Sequence, residues 1–235
     1  MDMKNTFQTL LFCLLANKPT LYASKSSPNE SASGSQGGTL PDQIFIHYSG
    51  SSLAAKMADP DFIDDTAWFF AHEAGHIYQS GVVATGSSLE QESWLHEGNA
   101  EMLASLALLA LYPQLEGYLA KRHKSAKAHC VKGLKNFVLV EAAKNKQFGL
   151  YYTCGLLMHN AIDIAVKKSA KLKHGVISLW REYQKAIIQG KPASAQTFLA
   201  MVKTYASATL AERLSVMANQ KLDNPDVFIE ALNVD

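Results

Sequence analysis

The feature that most constrains this 235-residue chain is a helical pattern that carries two histidines one turn apart. The pattern begins at a cap, Asp61 or Asp64, ends at Gly81, and reads His-Glu-Ala-Gly-His at 72–76. On an α-helix, side chains at positions i and i+4 lie on one face. The aromatic run at 68–70 predicts that this helix is largely buried. Buried imidazoles and a buried carboxylate need polar partners or a metal ion; the alternative is two surface histidines on an ordinary helix.

This spacing predicts a catalytic zinc site. Two imidazoles so placed can bind one ion at about 2.0–2.1 Å each. Glu73 follows the first histidine, points towards the same cleft, and can act as general base on a water whose pKa zinc lowers to about 7. We therefore predict one Zn²⁺ per chain, with His72 and His76 as ligands and Glu73 as a catalytic residue.

A second predicted helix, from about Ser93 to Leu111, offers the third ligand. Catalytic zinc sites use three protein ligands and keep one position open. We expect Glu97 to be that ligand, and Glu101, one turn further on, to accept the N–H of a ligand imidazole. His96 competes with Glu97 but lies about 100° around the helix. The apolar run that follows argues against the alternative, in which both glutamates are simply solvated.

The rest of the chain predicts a mostly α (α+β) fold. Gln43–His47, between Pro41 and Gly50, is the one convincing strand. Further helical stretches are predicted at about 114–129, 151–168, 176–188, 195–205 and 210–220.

Composition limits the classes of partner. The formal net charge is +1, so no global field favours nucleic acid. No apolar run reaches the roughly 18 to 20 residues that a membrane span needs. We expect a peptide or protein substrate; the oligomeric state stays open.

The N-terminus predicts export to the periplasm or the medium. Residues 1–23 have a basic start, a short apolar core and a small-residue site, which is typical of a cleaved signal peptide. The alternatives are a buried N-terminal helix and a lipid anchor on Cys13. Residues 24–41 contain almost nothing apolar and predict a flexible linker, so the folded domain is expected at 42–235. Cys130 and Cys154 either pair in an oxidising compartment or stay as buried thiols.

The motifs at 72–76 and 94–101 resemble those of the gluzincin metallopeptidases. The likeness is greatest to the catalytic domain of the aminopeptidase N type, whose second block reads Trp-Leu-Asn-Glu-Gly-Phe-Ala-Glu; His96 and Asn99 replace the Asn and Phe here. The resemblance implies a zincin-like, thermolysin-type catalytic domain with a C-terminal helical subdomain. The short N-terminal region implies a reduced β element.

A third block extends the resemblance. Tyr152-Thr-Cys-Gly155 is similar to the family's Tyr-x-x-Gly at the head of a helix. In the family this tyrosine donates to the oxyanion of the tetrahedral intermediate, which implies that role for Tyr152, with Tyr151 as the alternative.

The chain departs from the aminopeptidases upstream of the histidines. Their Gly-x-Met-Glu-Asn block holds the free amine of the substrate, whereas the region 50–57 has no Glu or Asn. The sequence thus predicts a zinc metallopeptidase but leaves endopeptidase and exopeptidase activity open. A zinc-bearing, non-catalytic peptide-binding module of the same fold is the alternative.

Overall fold

A computed structural model describes residues 19–26, 34–40, 42–50, 53–80 and 90–233. The described chain is mostly helical and carries one three-stranded sheet, so the predicted fold class is confirmed. The strands are β1 (Thr20–Lys25), β2 (Gly34–Leu40) and β3 (Gln43–Ser49). The helices are α1 (Leu53–Lys56), α2 (Pro60–Ser80), α3 (Ser93–Leu111), α4 (Glu116–Leu134), α5 (Gly149–Ser169), α6 (Gly175–Ile188), α7 (Ala195–Tyr205), α8 (Ala208–Asn219) and α9 (Pro225–Ala231).

The sheet is built around β3, the strand that the sequence predicts. Ile44 and Ile46 are buried while Phe45 between them is exposed, which is the period-two pattern of a strand with one covered face. β1 pairs with β3 in parallel and β2 pairs with it antiparallel, so the order is β1-β3-β2. The β2 strand lies at an edge and packs on α2.

The sheet contradicts part of the predicted domain boundaries. Residues 34–40, inside the predicted flexible linker at 24–41, form β2. This segment is rich in glycine and lacks a strand's usual composition, and its pairing with β3 overrides that weak local preference. Residues 20–23, at the end of the predicted signal peptide, belong to β1. Residues 1–18 lie outside the described part, so the signal peptide itself stays a prediction.

The described residues divide into two compact units. The first comprises those up to 80 together with 103–119, and the second comprises 90–102 and 120–233. In the first unit, Trp68 of α2 packs with Ala104 and Leu108 of the later part of α3 and with Leu119 of α4. This apolar cluster covers one face of α2, but Phe70 of the aromatic run is exposed, so the helix is less buried than the run predicts.

The start of α2 differs slightly from the prediction. The Asp59 carboxylate accepts a hydrogen bond from the backbone N–H of Asp61 at 3.0 Å, so Asp59 caps the helix in place of Asp61 or Asp64. Pro60 takes the first helical position, where a missing N–H costs nothing.

The second unit has an aromatic core and a disulfide. The ring centroids of Trp180, Tyr183 and Phe198 lie 5.2–5.6 Å apart, which joins α6 to α7. Cys130 of α4 and Cys154 of α5 are fully buried and form a disulfide with a Cα–Cα distance of 5.0 Å. The structure thereby favours the paired alternative. No helix among the described residues has the length and apolar character to cross a membrane.

Candidate metal centre

Helix α2 brings the two histidine side chains together. Nε2 of His72 lies 3.0 Å from Nε2 of His76, and the two rings are edge to face. His72 is buried and His76 is half-buried. Two imidazole nitrogens that bind one tetrahedral zinc at 2.0–2.1 Å would stand about 3.3 Å apart. The observed separation is close to that value, so the pair suits a single ion.

Gln79 orients the second imidazole and is not among the residues that the motif predicts. Its amide oxygen Oε1 lies 3.0 Å from Nδ1 of His76. An amide oxygen can only accept, so Nδ1 carries the proton and Nε2 presents its lone pair. Gln79 is buried and stands three residues after His76 on the same helix. That i, i+3 spacing was the signal that could have identified it.

Glu73 is buried beside β2. Only 5% of its surface is exposed. The backbone of Gly37 in β2 passes so close that an added Cβ would stand 2.6 Å from Oε1 of Glu73, and it would also meet the ring of Phe69. A larger residue at position 37 would therefore have to displace the ends of the Glu73 and Phe69 side chains. Gly37 lies within the linker predicted at 24–41, so the sequence does not indicate this contact with Glu73.

The first turns of α3 carry Glu97, which is half-buried. His72, His76 and Glu97 each offer one ligand atom, and these three atoms all lie within 4.8 Å of one another. Two imidazole nitrogens and a carboxylate oxygen form a donor set that zinc uses in catalytic sites. The residues present therefore fit the predicted ion, and the group can hold a metal.

The neighbours of Glu97 on α3 face other partners. The His96 ring stands edge-on to Trp180 with centroids 5.7 Å apart, and His96 is not part of the candidate group. Glu101 is buried, and its carboxylate lies 3.7 Å from the guanidinium of Arg122. Burial lowers the pKa of the nearby His123, and the charge of Glu101 opposes that shift. A contact from Glu101 to a ligand imidazole stays a prediction.

The two tyrosines at the head of α5 have different surroundings. Tyr151 is buried; its hydroxyl accepts from the N–H of Ala143 at 3.2 Å and donates to the carbonyl of Val140 at 3.4 Å. The Tyr151 hydroxyl thus bonds to the backbone of the segment that precedes α5. Tyr152 is 37% exposed. Of the two, Tyr152 is the one that a substrate can reach.

No family model matches the sequence, and no curated protein matches it. The structure does match the crystal structure of an aminopeptidase N family protein from Idiomarina loihiensis, with a TM-score of 0.67 and 14% sequence identity. The match covers 97% of this chain and 43% of that chain, so this chain spans less than half the length of its structural neighbour. At this identity the likeness shows the fold alone. It agrees with the resemblance that the motifs carry, and the chain has the fold of part of an aminopeptidase N family protein.

Proposed function

We propose that this protein is a zinc-dependent peptidase in which His72, His76 and Glu97 hold the metal. The observation that carries the proposal is the convergence of these three ligand atoms within 4.8 Å. Glu73, which is buried, directly follows His72 on the same helix. Zinc in such a site supplies a Lewis acid that polarises the scissile carbonyl and lowers the pKa of water.

The side chains of this protein divide the remaining chemistry. Glu73 removes the proton of the attacking water and then delivers it to the nitrogen of the leaving amine, so the proton is conserved over the cycle. The Tyr152 hydroxyl donates to the oxygen that becomes negatively charged at the carbonyl. Gln79 keeps the His76 ring in the tautomer that binds metal. The Gly37 backbone and the Phe69 ring shield Glu73 from water, which strengthens its interactions.

The experiment pairs zinc analysis with cleavage of a peptide library by the wild type and by Glu73→Gln. We expect one zinc per chain in both proteins, because Glu73 is not a ligand, and cleavage only in the wild type. Glu92→Gln makes the same chemical change elsewhere and serves as the matched control. Glu92 accepts a hydrogen bond from the backbone N–H of Ala195 in the second unit, so its replacement should leave turnover unchanged.

The same experiment separates the alternatives. Stoichiometric zinc without cleavage by the wild type would indicate the non-catalytic, peptide-binding module. No stoichiometric zinc would overturn the proposal altogether. Including peptides with blocked N-termini distinguishes an endopeptidase, which cleaves them, from an aminopeptidase, which requires the free amine.

We further propose that the protein is exported. The buried Cys130–Cys154 disulfide supports this, because such bonds persist in oxidising compartments. Cleavage after Ala23 would remove most of β1, so N-terminal sequencing of the exported protein is the decisive measurement. A mature chain that begins at Ser24 would support the predicted signal, whereas an intact N-terminus on an intracellular protein would contradict it.

A further inference from the structure

Helices α3 and α5 touch backbone to backbone at two glycines. A Cβ added to Gly98 would come closer than 3.0 Å to three backbone atoms of Gly155. A Cβ added to Gly155 would stand 2.6 Å from Cα of Gly98 and 2.6 Å from the carbonyl oxygen of Trp94. The neighbouring atoms are backbone and not the flexible ends of side chains. Neither glycine can therefore gain a methyl group unless the helices move.

A hydrogen bond ties the same two helices one turn away. Nε2 of His159 on α5 lies 3.0 Å from the carbonyl oxygen of Leu95 on α3 and donates to it. His159 follows Gly155 by one turn, whereas Leu95 precedes Gly98 by about one turn, so the helices run antiparallel at this contact. His159 is fully buried, and burial lowers its pKa to about 3, so the ring stays neutral.

This crossing lies between two residues of the proposed site. Glu97 directly precedes Gly98 on α3, and Tyr152 lies three residues before Gly155 on α5. We propose that Gly98 and Gly155 are positioning residues, which set the place of the Tyr152 hydroxyl relative to the Glu97 carboxylate. The inference rests on the proposed function, because it assigns the glycines a task in the same reaction.

The size of the effect follows from the contact distances. Ordinary Cβ contacts begin at 3.4 Å, so an alanine at either position must push the helices apart by about 1 Å. A misplacement of about 1 Å can cost about 100-fold in rate. A merely structural role would instead lower stability and would leave the geometry of the folded site unchanged.

The first test compares Gly155→Ala and Gly98→Ala with Gly117→Ala. Gly117 lies in the first turn of α4, and an added Cβ there meets nothing within 4 Å, so this variant controls for the change in helix propensity. We expect Gly155→Ala to lower kcat about 100-fold with KM unchanged. Gly117→Ala should leave both kcat and KM unchanged. Unchanged kcat in a folded Gly155→Ala protein would overturn the proposal.

A double-mutant cycle asks whether Gly155 acts through Tyr152. If it does, Gly155→Ala should cost little further rate once Tyr152→Phe has removed the hydroxyl. Equal losses in the wild-type and Tyr152→Phe backgrounds would contradict the positioning role of Gly155.

Zinc affinity, measured by competition with a chelator, tests the other side of the crossing. We expect Gly98→Ala to weaken zinc binding about 10-fold, as loss of a supporting contact does, because it displaces the adjacent Glu97. Affinity equal to that of Gly117→Ala would contradict the role of Gly98. This measurement of zinc affinity does not require peptide cleavage. If the wild type binds zinc and cleaves nothing, the peptidase proposal fails while the role of Gly98 is still decided.

A second pair of variants covers the case in which the alanine variants do not fold. His159→Leu removes the donor to Leu95, whereas His159→Gln can still reach that carbonyl with its amide N–H. We expect His159→Leu to lower kcat and His159→Gln to restore most of it, with KM unchanged in both. Equal kcat in the two folded variants would overturn the positioning of α3 by α5.

Discussion

Helices α2 and α3 both carry residues of the candidate metal centre, but their ligands are held in different ways. On α2, the two imidazoles and the amide of Gln79 all lie within eight residues of one helix. Helix geometry alone brings them together. On α3, the residues around Glu97 are buried against other helices: Leu95 receives a hydrogen bond from His159, and Gly98 meets Gly155.

The difference teaches which half of the site depends on the rest of the fold. A local set of contacts survives as long as its helix does. A ligand that depends on distant packing moves when that packing changes, so perturbations of the contact between α3 and α5 should displace Glu97 and leave the histidine pair intact.

Removal of a ligand should have the largest effect. We expect His76→Ala to abolish cleavage and to weaken zinc binding by more than the roughly 100-fold that loss of a supporting residue can cost. Gln79→Leu, which removes only the acceptor for Nδ1, should weaken zinc binding about 10-fold. Gln79→Glu keeps an acceptor and is the control. Chelator competition measures all three, and equal affinity in Gln79→Leu and wild type would show that α2 does not orient its own ligand.

The tyrosine pair comes next in expected size. Tyr152→Phe should lower kcat about 10²- to 10³-fold with little change in KM, because the lost hydroxyl acts on developing charge. Tyr151→Phe should leave kcat unchanged and should cost about 1 kcal/mol of stability, because its hydroxyl bonds the loop at Ala143 and Val140. If kcat instead fell in Tyr151→Phe and not in Tyr152→Phe, Tyr151 would be the residue that donates to the oxyanion.

The histidine pair on α2 could be predicted from the sequence more completely than the surroundings of Glu97 on α3. The spacing of His72 and His76 on a helix requires no knowledge of the fold, and it predicts the observed pair directly. Glu97 could be proposed from its motif, but the sequence could not show what holds it there. The contact of Gly98 with Gly155 joins residues 57 positions apart and leaves no periodic signal.

The sheet shows the same limit. Ile44 and Ile46 predict β3 because their alternation is local. The glycine-rich β2 looked like a linker because its strand state depends on pairing with β3, and the close approach of Gly37 to Phe69 and Glu73 of α2 is a tertiary contact with no local signal.

The disulfide between α4 and α5 is predicted to stabilise the second unit. Cys130 and Cys154 are 24 residues apart, and closing such a loop contributes about 3 to 4 kcal/mol in the chain-entropy account. Replacing both cysteines with alanine should lower the free energy of unfolding by about that amount in urea, while zinc affinity of the folded protein changes little. An unchanged urea midpoint would mean that α4 and α5 are held together without the bond.

A pH dependence of stability is expected from His159. Burial holds the pKa of this ring at about 3 in the folded protein, against an ordinary value of 6.5. Above pH 6.5 the ring is neutral in both states. As the pH falls from 6.5 towards 3, the unfolded chain takes up a proton that the folded chain refuses, so the stability present at neutral pH is lost by up to about 1.4 kcal/mol per pH unit.

His159→Gln isolates this contribution, because glutamine can donate to the Leu95 carbonyl but does not titrate. We expect the variant to lose less stability than the wild type between pH 6 and pH 4 in urea unfolding. The two proteins are compared by the slope of unfolding free energy against pH and not by absolute stability, because the substitution also changes packing against Phe198. Identical slopes would mean that the His159 ring takes up its proton in the folded protein. The hydrogen bond from His159 to Leu95 would then come from a charged, solvated imidazole.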